Sequence, residues 1–110
     1  MKTGKKTGKT TAAGETSVTR SLKRSGRNAG ADSGSQSTTP EEIEGAVAEA
    51  SCSVGRTVQP AQFEALKVEV GVRLPCSVED ATSGEAHRRA FELCRRELRD
   101  QLERGTEGLE

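Results

Sequence analysis

Leu66-Lys67-Val68-Glu69-Val70-Gly71-Val72-Arg73-Leu74 alternates five aliphatic residues with Lys, Glu, Gly and Arg. Successive side chains of an extended chain point to opposite faces, so this stretch presents one dry side and one wet side. Wound at about 100° per residue, the same five aliphatics would scatter around the whole helical cylinder. The segment therefore reads as a strand with a single buried face, ended by Pro75. Upstream, Cys52, Val54 and Val58 share one side of a second period-two run, with Ser53, Gly55, Thr57 and Gln59 on the other. Arg56 falls on the apolar side and marks an edge or a bend. Pro60 has no N–H for a ladder, so Gln59-Pro60-Ala61-Gln62 connects the two strands as an antiparallel hairpin.

Helical patterns flank the hairpin. Downstream, Ser77 to Gly84 is polar, with a helical turn begun by Ser77 and Asp80. Thr82 with Glu85 then offers a capping box for a helix of about Ser83 to Glu103. Ala90, Phe91, Cys94, Leu98 and Leu102 form its apolar stripe, Arg88, Arg95, Arg96 and Arg99 lie outside it, and Gly105 supplies a stop. Residues Thr106 to Glu110 are expected to fray. Upstream, Thr39-Pro40-Glu41-Glu42 combines an N-cap, a proline suited to the first helical position and a capping-box glutamate. With Ile43, Val47 and Ala50 on one face, it predicts a short helix ending near Ala50.

The remainder is polar. Of 110 residues 31% are hydrophobic, with two Phe and no Tyr or Trp, too little for a large core or a multi-domain enzyme. Lys+Arg and Asp+Glu both number 17, but the balance hides a split. Met1 to Pro40 carries Lys2, Lys5, Lys6, Lys9, Arg20, Lys23, Arg24 and Arg27 against Glu15 and Asp32 alone, a net +6, and the rest carries −6. Rich in Gly, Ser and Thr, this first segment has little apolar surface to offset ordering its backbone, so residues 1–38 are expected to be a disordered basic tail. No apolar run fits a secretory signal or a membrane span, and the expected location is cytoplasmic.

The expected fold is α+β: a small domain over residues 39–105 with a short helix, a two-stranded antiparallel hairpin and a long C-terminal helix, then a frayed 106–110. So small a unit buries little, which calls for a companion at the hairpin edge, either a second copy in a homodimer or a partner protein.

Chemistry-bearing groups do not converge. Cys52, Cys76 and Cys94 lack a C-x-x-C spacing, and His87 stands about 10.5 Å along a helix from Cys94, too far for easy sharing of one zinc ion. These cysteines read as small hydrophobes, and neither a metal nor a cofactor is expected. Gly4-Lys5-Lys6-Thr7-Gly8-Lys9-Thr10 spaces its glycines one residue too close for a phosphate-binding loop, and no strand precedes it. His87, beside Arg88 and Arg89, reads as a solvated group, so no catalytic residue is assigned. The helix arginines interleave with Glu85, Glu92, Glu97, Asp100 and Glu103, which favours a solvated face laced with ion pairs.

Val54-Gly55-Arg56-Thr57-Val58 followed by Phe63-Glu64-Ala65-Leu66-Lys67-Val68-Glu69-Val70 resembles a group of small proteins encoded by phages and mobile elements, with the pattern G-x-T-V then F-E-x-L-x-V-x-V. The resemblance implies a context and no catalytic residues. The functional expectation is thus a small non-enzymatic accessory protein that associates with DNA or RNA through Lys2, Lys5, Lys6, Lys9, Arg20, Lys23, Arg24 and Arg27. The alternative is a protein-binding adaptor that uses the hairpin edge or the Arg-rich helix.

Overall fold

A computed structural model of the chain describes residues 9–109. The elements are β1 (Lys9–Ala12), β2 (Glu15–Arg24), β3 (Arg27–Ser37), β4 (Glu41–Glu44), β5 (Val47–Val58), β6 (Glu64–Ser77), α1 (Val78–Ser83) and α2 (Glu85–Arg104). Strands β3-β2-β6-β5 form an antiparallel sheet in that order, and β1 pairs with β4 in a separate two-stranded ladder.

The alternation in β6 behaves as its chemistry requires: Leu66, Val68, Val70, Val72 and Leu74 are all buried. Its pairing places Val54, Cys52 and Ala50 of β5 opposite Val70, Val72 and Leu74. On the other side, Val18 and Leu22 of β2 lie opposite Val70 and Leu66. Helix α2 lies across β5 and β6, and Ala90 and Cys94 complete the core from above. A second small cluster of Ala50, Cys76 and Ala86 closes the α1 end.

Three expectations are overturned. The sheet has four strands rather than two, because the segment expected to be a disordered tail supplies β2 and β3 as well as β1. Thr16, Val18, Arg20 and Leu22 keep period two, so β2 adds a half-apolar face to the core beside that of β6 despite its hydrophilic composition. Ser25 and Gly26 both take positive φ, 51° and 80°, and form the two-residue turn that joins β2 to β3. Strand β2 of the same chain thus pairs along the β6 side of the hairpin.

The short helix expected over 39–50 is absent. Gly45, at φ 75°, reverses the chain after β4, and Val47–Val58 then pairs continuously with Leu66–Ser77. Cross-strand pairing and burial of Ala50 outweigh the local capping pattern at Thr39. Nor does Pro75 end its strand: β6 runs to Ser77, and beyond Arg73 it pairs, among the described residues, with β5 alone, leaving one side where a missing N–H breaks no ladder.

At the helices the local chemistry is partly as read. Ser77 caps α1, its Oγ accepting from the Asp80 backbone N–H at 3.1 Å. Gly84, left-handed at φ 86°, ends α1 and opens α2 in place of the Thr82 box; the Thr82 hydroxyl donates instead to the Val78 carbonyl at 2.8 Å. Gly105 terminates α2 by donating to the carbonyls of Gln101 and Leu102. The chain beyond, expected to fray, makes turns through Leu109, which is buried against the core. No helix among the described residues is long and apolar enough to cross a membrane.

Candidate binding surfaces

The eight basic residues singled out in the N-terminal segment do not form one surface. Lys2, Lys5 and Lys6 lie outside the described residues. Lys9 stands on β1, 4.0 Å from Glu44 across the ladder. Arg20 is the largest departure: it sits on the dry face of β2 and is 2% exposed.

Its guanidinium is fully engaged. Nε and Nη2 donate to the Asp32 carboxylate at 3.2 and 2.8 Å, and Nη1 donates to the carbonyls of Gly105 and Glu107 at 3.3 and 3.0 Å. The planar fork matches the carboxylate two bonds at a time, which a lysine could not do. Arg20 thus ties β2, β3 and the C-terminal turn together. Its hydrogen bonds to Asp32 hold that carboxyl below the usual carboxylate range.

Lys23, Arg24 and Arg27 remain at the β2–β3 turn. Arg24 pairs with Glu64 across the ladder, while Lys23 and Arg27 are exposed. Phe63 is 70% exposed in the neighbouring β5–β6 loop at φ 64°, and its carbonyl accepts the Ser25 N–H at 2.7 Å. A bulky side chain at positive φ is strained, and two exposed cations share this end of the sheet with it.

The helix arginines divide into two groups. Toward the N-terminus of α2, Arg88 bonds Glu85 and Glu92, and Arg89 lies 3.5 Å from Asp80. Glu92, expected to pair with Arg95 or Arg96, is taken by Arg88 at 3.1 Å. Arg95, Arg96 and Arg99 therefore make no ion pair among the described residues, although Arg95 lies over the Phe91 ring at 5.8 Å from its centre. Phe91 itself is 45% exposed, outside the apolar stripe in which it was placed.

Arg56 joins the second group. It stands opposite Val68 on the helix side of β5, but β5 is an edge strand and Arg56 is exposed there. Arg56, Arg95, Arg96 and Arg99 line an open groove between β5 and α2, with Leu98 and Leu102 half-buried in its wall. Glu92 and Glu103 also border it; eleven residues of helix place them at opposite ends, about 16 Å apart. Beside the groove runs the outer edge of β5, which among the described residues pairs only with β6. The signal for this site was Arg56, the one residue that broke the apolar side of its strand.

No cluster of three or more His, Cys, Asp or Glu disposed to hold a metal occurs among the described residues. Cys76 and Cys94 belong to different core clusters, and His87 is exposed. No protein-family model, curated protein or solved structure matches this chain.

Proposed function

We propose that this chain is a non-enzymatic adaptor that receives an extended acidic segment of a partner protein along the β5 edge and the adjoining groove. One observation carries the reading: Arg56, Arg95, Arg96 and Arg99, which make no ion pair among the described residues, gather beside a strand edge that no other described strand pairs with. A strand edge offers N–H and C=O groups to a further strand, and alternate side chains of that strand would meet the groove. Carboxylates spaced two residues apart would face the guanidiniums, and aliphatic residues among them would rest on Leu98 and Leu102.

The test is a fluorescence-anisotropy titration with a labelled peptide alternating Glu with Val or Leu. Binding is expected to weaken at least about tenfold with R95E/R99E, whose side chains are exposed, and to persist with R88E, whose side chain is already paired. A peptide N-methylated at every backbone nitrogen cannot donate to an edge and should fail to bind. Equal binding by the methylated peptide, or by R95E/R99E, would remove this reading.

A second reading rests on the other end of the sheet. Exposed Lys23 and Arg27 beside exposed Phe63 would suit nucleic acid, with cations on phosphate and the ring on a base. In that case F63A and K23E/R27E would both weaken binding of single-stranded DNA or RNA, and high salt would abolish it. Either activity fits an accessory protein of a phage or mobile element, the context that the G-x-T-V resemblance implies.

A further inference from the structure

Two of the three cysteines meet where α2 crosses the sheet. Cys52 projects from the helix side of β5, opposite Val72, and is half-buried. Cys94 is fully buried on α2, and its Sγ lies 3.2 Å from the Cys52 carbonyl oxygen and 3.9 Å from that of Val70. The carbonyl contact sets the Cys94 thiol against the backbone of Cys52 itself. Cys76 lies in the other core cluster, with Ala50 and Ala86.

We propose that Cys52 and Cys94 form an oxidisable pair, closed to an intramolecular disulfide by a small-molecule disulfide of the glutathione type. The positions assign the order of events. Cys52 is the thiol that solvent reaches, so its thiolate attacks one sulfur of the oxidant and expels one thiolate, leaving a mixed disulfide on β5. The Cys94 thiolate then attacks the Cys52 sulfur and expels the second thiolate. The protein loses two protons and two electrons; the oxidant takes both electrons and leaves as two thiols. In the reduced pair burial, with Cys52 beside it, raises the Cys94 thiol to about 11; the burial persists in the mixed disulfide and makes Cys94 the slow, resolving partner. The bond would fix α2 to the edge strand β5, forty-two positions away in sequence. It would also set the spacing of the two walls that carry Arg56 and the helix arginines. The pair stands independently of any ligand in the groove.

The experiment incubates the full chain with glutathione disulfide and follows intact mass without reduction, then maps the linked peptides. The expected product lacks the mass of two hydrogen atoms and joins the Cys52 peptide to the Cys94 peptide. Its melting temperature should rise by roughly 10 °C, because a long loop is closed in the unfolded chain. C94A should stop at a glutathione adduct on Cys52, and C76A should still close the bond. A wild-type chain that accumulates only the Cys52 adduct, links Cys76 instead, or does not react would overturn the proposal.

Discussion

Arg20 shows how one residue changes meaning when its neighbours are known. In the sequence it belongs to a run of cations; in the fold it is a buried guanidinium between Asp32 and the C-terminal turn. Its position between Val18 and Leu22 at period two was the available sign, but a cation in an otherwise polar segment hides that alternation. The pair is asymmetric, because the Asp32 side chain is 48% exposed while Arg20 is buried. Removing the anion strands a buried cation, so D32N should cost about 2 kcal/mol at neutral pH. Because the folded-state pKa of Asp32 is depressed, its contribution is present above the ordinary value of 3.8 and fades as pH falls through the lowered one. Wild-type and D32N unfolding midpoints should accordingly differ at neutral pH and converge in strong acid. R20L, which fills the same apolar position, should cost less, about 1 kcal/mol, yet hydrogen exchange should show residues 105–109 deprotected once the donor to Gly105 and Glu107 is gone. Gly30 tests the same junction. A Cβ there would stand 2.0 Å from the Leu109 carbonyl oxygen, whereas one at Gly34 meets open space. G30A should destabilise by about 1–3 kcal/mol and release the turn, and G34A should leave the melting curve nearly unchanged.

At the scale of elements, legibility followed hydrophobic contrast. Strand β6 was readable because five aliphatics alternate without interruption, and α2 because its small and aliphatic residues recur at helical spacing. V70D places a charge beneath α2 and should cost more than about 4 kcal/mol, whereas K67D, on the open face, should change stability by less than about 0.5 kcal/mol; urea unfolding distinguishes them. Strand β3 was illegible for a physical reason. An edge strand of Gly, Ser, Ala and Asp buries little, so its place comes from pairing with β2 and from Arg20 holding Asp32. Thr39 to Ala50 misled in a different way. Its capping residues and four-then-three spacing are locally consistent with a helix, but Gly45 and the length of β6 permit a longer ladder, and pairing prevails over a single turn. The groove was half legible: Arg56 and the helix arginines were each noticed, and only the crossing of α2 over β5 brings them together.

For the whole molecule, the decisive feature is that a sheet with its centre at β2 and β6 takes those two strands from opposite ends of the sequence. Residues 39–110 contain the hairpin, both helices and most core side chains, and by composition they look self-sufficient. In the fold they are not: Val18 and Leu22 of β2 cover the Val70 and Leu66 row, and β2 satisfies the side of β6 that faces away from β5. Removing residues 1–38 would uncover that side along ten consecutive pairs, from Arg73 to Glu64, and take away Arg20, the donor to the Gly105 and Glu107 carbonyls. A two-stranded hairpin under one helix is marginal, and a long unpaired edge beside exposed valines invites association. The fragment 39–110 should therefore lose the cooperative thermal transition of the full chain or elute as aggregates, read by circular dichroism and by size exclusion with light scattering. A fragment that stays monomeric and melts as the full chain does would mean that β2 and β3 only decorate the sheet.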